Sequence, residues 1–164
     1  MKKLFIYLTS AIVFLISQYG NTTVLKIDKN LILESSILKN SFNSVNQLNS
    51  FVLDENIDDK NKISVLVIKA KSTTIANKPA IERIWKENKT TAKVIKNEGC
   101  KKIKSTHYEC SRLVSLKDKY QAQRLIWLGK SDMAYVMVDH VNSAEKAKLY
   151  SESFTVQTKT PKAK

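Results

Sequence analysis

Residues 107–140 read HYECSRLVSLKDKYQAQRLIWLGKSDMAYVMVDH. Apolar and polar positions alternate here with a period of two, which is the spacing that sends successive side chains to opposite faces of a strand. Leu125 and Trp127 fall on one phase of their segment, and Ala134, Val136 and Val138 share a phase in the next. The alternation begins at Thr91 and predicts strands at 92–96, 100–104, 107–116, 120–129 and 133–140. Turn residues separate them at Asn97-Glu98-Gly99, Lys117-Asp118-Lys119 and Gly129-Lys130-Ser131-Asp132. Consecutive strands joined by short turns make an antiparallel meander.

On either side of this stretch the period changes to that of a helix. Pro79 suits a first helical turn, where the missing N–H is not needed, and Ile81, Ile84, Trp85 and Asn88 follow at helical spacing. An amphipathic helix is expected over 79–90, with Trp85 as a core anchor. Ser143 is placed to cap a second helix, whose apolar stripe is Ala144, Ala147, Leu149, Tyr150 and Phe154. Before the first helix, Ile63–Ala70 (ISVLVIKA) is apolar at every phase, as a strand in the middle of a covered sheet would be. Residues 21–61 offer only short apolar stretches, read as brief strands or turns. Asp54–Asn61 (DENIDDKN) is expected to be a polar loop because its acids repel one another. The fold class that results is α/β of the α+β type, an antiparallel meander packed by two amphipathic helices. It forms one small domain over 21–157, followed by a disordered basic tail at 158–164.

Composition narrows the functional classes. With 164 residues, 43% hydrophobic and 26% charged, the chain can bury a sizeable core. Three glycines, none clustered, leave no loop to cradle a phosphate. Met1-Lys2-Lys3 followed by the uncharged Leu4–Ile16 (LFIYLTSAIVFLI) has the layout of a signal peptide, so residues 1–20 are expected to be a signal peptide or an uncleaved N-terminal anchor. Export to a periplasmic or extracellular space follows. Cys100 and Cys110 are the only two cysteines. An even count in an exported chain favours one structural disulfide across a hairpin, against two buried thiols or a metal site for which only His107 and His140 are available as histidine partners.

The net charge is +13, and it is uneven. Residues 78–130 hold fourteen Lys or Arg against five Asp or Glu. A positive field over the middle of the domain suits phosphate-rich partners, with Lys86, Lys89, Lys93, Lys96, Lys101, Lys102 and Lys104 as the contact set. The plainer account makes Glu82–Lys86 and Arg83–Glu87 ordinary helix-surface pairs, and makes lysines 101, 102 and 104 guards of a sheet edge.

The second half also resembles the PsbP-like α/β fold, over roughly residues 62–156. The resemblance rests on Arg124-Leu-Ile-Trp-Leu-Gly-Lys130, then Met133-Ala-Tyr-Val-Met-Val-Asp139, then a helix closing on Ser153-Phe154. It implies a non-enzymatic accessory or binding domain, often exported, and brings no catalytic residues with it. The residues themselves offer little chemistry. Ser105, His107 and Glu109 alternate onto one face, but neighbours along one strand do not make a nucleophile, base and orienter, and a solvated sheet face has the same look. The expected function is an exported, non-enzymatic interaction or accessory domain that binds a protein partner or a cell-envelope component. The alternative is an exported binder of anionic lipid, lipopolysaccharide or nucleic acid using the basic 78–130 region. No cofactor is expected.

Overall fold

A computed structural model describes residues 22–27, 31–45, 49–58, 61–71, 76–129 and 132–157. The expected signal segment at 1–20 and the tail at 158–164 lie outside the described residues. The elements in chain order are β1 (Thr23–Lys26), β2 (Ile32–Ser35), β3 (Asn43–Val45), β4 (Ser50–Asp58), β5 (Asn61–Lys71), α1 (Lys78–Glu87), β6 (Lys93–Lys104), β7 (His107–Leu116), β8 (Lys119–Leu128), β9 (Asp132–Val141), α2 (Ala144–Glu152) and β10 (Phe154–Gln157). They form one small α+β domain, mostly antiparallel sheet.

Seven strands make the main sheet in the order β3-β4-β5-β9-β8-β7-β6. The predicted meander is its β9-β8-β7-β6 half. β5 enters the middle by pairing antiparallel with β9, so Val65 faces Val138 and Val67 faces Val136. A second sheet, β1-β2-β10, brings the two ends of the described chain together, with Phe154 opposite Ser35.

The main sheet has a core on each face. On one, Ile63, Val65 and Val67 of β5, Val136 and Val138 of β9, and Ile126 of β8 pack with Leu25 and Leu33 of the small sheet, Ala147 of α2 and Phe154. On the other, Ile81 and Trp85 of α1 pack on Cys110, Leu125, Trp127 and Met133. Alternation along β8 explains the division: Ile126 goes to one core, Leu125 and Trp127 to the other. Both helices begin as their sequences imply. Asn77 Oδ1 accepts from Ala80 N at 3.0 Å ahead of Pro79, and Ser143 Oγ accepts from Lys146 N at 3.4 Å.

Four expectations need correction. First, Asn97-Glu98-Gly99 is not a turn between two strands, because β6 runs unbroken from Lys93 to Lys104. Gly99 has the left-handed φ of +68°, which suits a turn and a β-bulge equally, and here it belongs to a bulge. Second, Asp54–Asn61 is not a polar loop: through Asp58 it continues β4, and Asn61 opens β5. Two of its acids find separate partners, Asp54 an ion pair with Lys62 at 3.4 Å and Glu55 the backbone N–H of Lys39 at 2.7 Å. Third, Phe154 leaves the α2 stripe for β10, where it is fully buried, while Leu149 is 57% exposed. Fourth, β5 is fully buried on one face only, with Ser64, Leu66 and Ile68 half-buried on the other.

Phe154 joins both sheets through one side chain, so truncating it leaves a cavity that no neighbour can fill by relaxing alone. Phe154→Ala is expected to lower the unfolding free energy by about 3–5 kcal/mol in urea titration. A loss under about 1 kcal/mol would mean that the small sheet is not part of the cooperative unit.

Candidate functional site

β6 is the edge strand beyond β7, and the register between them decides where its charges go. Residues directly opposite one another across an antiparallel pair share a face. Lys96 stands opposite Leu113, Gly99 opposite Ser111, Lys101 opposite Glu109 and Lys104 opposite His107. Leu113 packs in the core under α2, and Glu109 bonds Arg124 on that same face. Lys93 stands opposite Ser115 on the same face, and strict alternation cannot send Lys93, Lys96, Lys101 and Lys104 to one side together. Three register shifts, between Val94 and Lys96, Asn97 and Gly99, and Lys102 and Lys104, make it so. Each leaves one extra residue in β6: Ile95, Glu98 and Ile103.

The middle bulge aims Glu98 at α2. Asn97 Oδ1 accepts from Gly99 N at 3.0 Å and pins the turned backbone. Glu98 then collects three ammonium groups: Lys96 at 3.0 Å and Lys101 at 3.5 Å from its own strand, and Lys148 at 3.2 Å from α2. Hydrogen bonds and charge from Lys96, foremost, and from Lys148 hold its carboxyl down at about 2. The Glu98 partnership in turn raises the Lys148 ammonium. Lys148 also reaches Glu152 one turn on, at 3.5 Å.

Deeper on the same face, His107 Nε2 and Glu109 Oε1 meet at 2.5 Å. Arg124 donates to Glu109 Oε2 through Nη2 at 2.6 Å and Nε at 2.9 Å. Its remaining nitrogen, Nη1, donates to the carbonyls of Ser151 at 3.0 Å and Phe154 at 2.7 Å, where α2 hands over to β10. The last carbonyls of a helix have no partners inside it, and α2 has no basic residue in its final turn, so the sheet supplies the cation. Burial pushes the Glu109 carboxyl up, but the His107 hydrogen bond and the Arg124 charge outweigh it and leave the group below its usual range. Arg112 performs the same service for α1 on the opposite face. It donates to the carbonyl of Asn88 at 2.7 Å and lies 4.5 Å over the Trp85 ring.

Between β6 and α2 lies a cleft of about 220 Å³. Lys96, Lys101 and Lys148 stand at its rim, Ile103, Leu113 and Ala122 supply apolar wall, and Glu98 and Arg124 also border it. Sequence reasoning did not find this place, because it assigns Glu98 to a turn and gives Lys148 no role.

The seven lysines singled out as a polyanion set are divided by the fold. Lys93, Lys96, Lys101 and Lys104 share the α2 side; Lys102, opposite Tyr108, faces the α1 side. Lys86 is on α1 and Lys89 just beyond it. The helix-surface pair that forms on α1 is Lys78–Glu82 at 3.8 Å, not Glu82–Lys86. Cys100 and Cys110 are directly opposite one another and joined by a disulfide with an S–S distance of 2.00 Å. Of the Ser105-His107-Glu109 run, Ser105 is out on the β6–β7 turn and exposed, whereas His107 is only 6% exposed. The run is not a solvated face, and the third member of its cluster is Arg124. Among the described residues no group of three His, Cys, Asp or Glu stands ready to hold a metal ion, and no helix is long and apolar enough to cross a membrane. Compared with known proteins, the chain matches no family model, no curated protein and no solved structure.

Two outcomes test this electrostatic account. Arg124→Met strands the buried Glu109 carboxylate and frees two carbonyls, and is expected to cost about 3–5 kcal/mol of stability by urea unfolding; Glu109→Gln with Arg124→Met should recover part of it. Glu98 is held below its ordinary value of 4.5, so its contribution is complete above pH 4.5 and disappears as the pH falls toward 2. Between those limits the wild type should therefore lose more stability than Glu98→Gln does. The difference should stay under about 1 kcal/mol because the partner lysines are exposed. Parallel pH profiles would contradict it.

Proposed function

We propose that the chain is an exported, non-enzymatic interaction domain that binds an acidic protein partner or cell-envelope component through the α2-facing side of β6. The observation that carries this reading is the triple bulge. Bulges are retained where they re-aim side chains, and these three bring Lys93, Lys96, Lys101 and Lys104 onto one face at a strand edge. The reading draws further support from how the reactive groups are occupied. His107 and Glu109 are engaged with each other, and Glu109 with Arg124, in an arrangement that anchors α2. The signal-like layout of residues 1–20 and the Cys100–Cys110 disulfide suit an oxidising compartment. A PsbP-like relationship belongs to the same proposal, and the order β8, β9, α2, with Ser153-Phe154 just after the helix, is compatible with it.

The broader alternative, a polyanion binder, draws on the exposed lysines of β6. Their division between two faces favours a local contact over a long track along a nucleic acid. Aromatic residues do not interleave them to stack on bases.

Retention of the protein, taken from the exported fraction in its oxidised form, on isolated envelopes tests the reading. Lys96→Glu with Lys101→Glu should weaken retention at least about tenfold, with a steep dependence on salt, whereas Lys86→Glu with Lys89→Glu should change it less than about threefold. Equal losses would mean that net charge alone is responsible. Recovery of the protein in a reduced, cytosolic form would overturn export.

A further inference from the structure

We infer that the cleft between β6 and α2 is a binding site for a small anionic amphiphile, with its carboxylate or phosphate head among Lys96, Lys101 and Lys148 and a short apolar body against Ile103, Leu113 and Ala122. The inference rests on the reading above in using the same face, but it assigns that face a small molecule.

The charge at the rim selects an anion. Three ammonium groups lie within 3.5 Å of the one Glu98 carboxylate, and Glu152 is a second acid near Lys148 only. One positive charge stays uncompensated at the rim. The cation deeper in the cleft adds nothing to that surplus, because Arg124 is paired with Glu109 at 2.6 Å. Lys96 and Lys101 keep 59% and 64% of their side-chain surface exposed, so an incoming head group can take up their free N–H donors without displacing Glu98.

The wall selects an apolar body. Leu113 is half-buried and Ala122 buried on the floor, and the lysine stems add hydrocarbon at the sides. Ile103 is the extra residue of the third bulge and is 48% exposed beside the cations. A large aliphatic side chain in that position is in contact with water in the free protein and loses that contact when a ligand chain covers it. The size sets the length. A cleft of about 220 Å³ suits a short chain, on the order of eight carbons, better than a full lipid.

Titration calorimetry on the full-length exported protein, with octyl phosphate below its micelle concentration, tests the site. Octyl phosphate should bind once per chain and at least about tenfold more tightly than either inorganic phosphate or octanol. Lys101→Gln with Lys148→Gln should weaken it about tenfold, and Ile103→Ser about threefold while leaving inorganic phosphate unaffected. All three residues are substantially exposed, so the variants are expected to fold, and their urea midpoints check this. Lys86→Gln with Lys89→Gln, on the other side of the sheet, should change nothing. Vesicles carrying phosphatidate separate a free amphiphile from a membrane head group: if they bind through the same lysines but without dependence on Ile103, the ligand is a bilayer surface and the inference fails. It fails also if inorganic phosphate binds as tightly as octyl phosphate, or if no saturable binding occurs. Loss of envelope retention with octyl phosphate binding intact would refute only the preceding proposal.

Discussion

Two arginines, one on each face of the main sheet, catch the ends of the two helices. Each meets the same physical requirement: the final carbonyls of a helix are unsatisfied acceptors at the negative end of its dipole. Arg112 holds the carbonyl of Asn88 beyond α1, and Arg124 holds those of Ser151 and Phe154 at the end of α2. A guanidinium serves well because its donors form a rigid fork that can bond several acceptors at once. Arg124 uses that fork to tie Glu109, α2 and β10 into one network. The position of α2 over the sheet depends on it, and with α2 go Lys148 and one wall of the cleft.

The same network gives the titratable cluster on this face an architectural role, with His107 Nε2 2.5 Å from Glu109. Glu109 in turn is neutralised by Arg124. What remains available is peripheral: ammonium groups that share a single carboxylate, next to exposed aliphatic surface. Such an edge attracts anions and resists pairing with another strand. Both consequences follow from lysines and bulges placed on an open sheet edge.

The meander, both helices and the Ser143 cap were legible in the sequence because they depend on local rules. Periodicity, Pro79, Ser143 and the Lys117-Asp118 turn act within a few residues of themselves. The disulfide was legible for a similar reason, since ten positions of separation place Cys100 and Cys110 across one hairpin. Where local cues were ambiguous the reading failed. Gly99 supplies a left-handed φ that a turn and a bulge require equally, and only the pairing of β6 with β7 chooses between them. Asp54 and Glu55 looked repulsive in isolation and are accommodated because Lys62 and the backbone after β2 come to meet them.

By itself, then, the sequence determined the two helices and most of the strands in the second half, where the chain is basic, and which cysteines join. Tertiary structure decided the rest. The small sheet needs Thr23–Lys26, Ile32–Ser35 and Phe154–Gln157 side by side, and no local pattern specifies partners so far apart in the chain. The faces on which the lysines of β6 appear depend on three register shifts, and a shift of one residue reverses a side chain's direction. The cleft exists only because Glu98 and Lys148, fifty positions apart, are brought within 3.2 Å. Cross-strand register and long-range packing are properties of pairs of segments, which is why reading one segment at a time could not supply them.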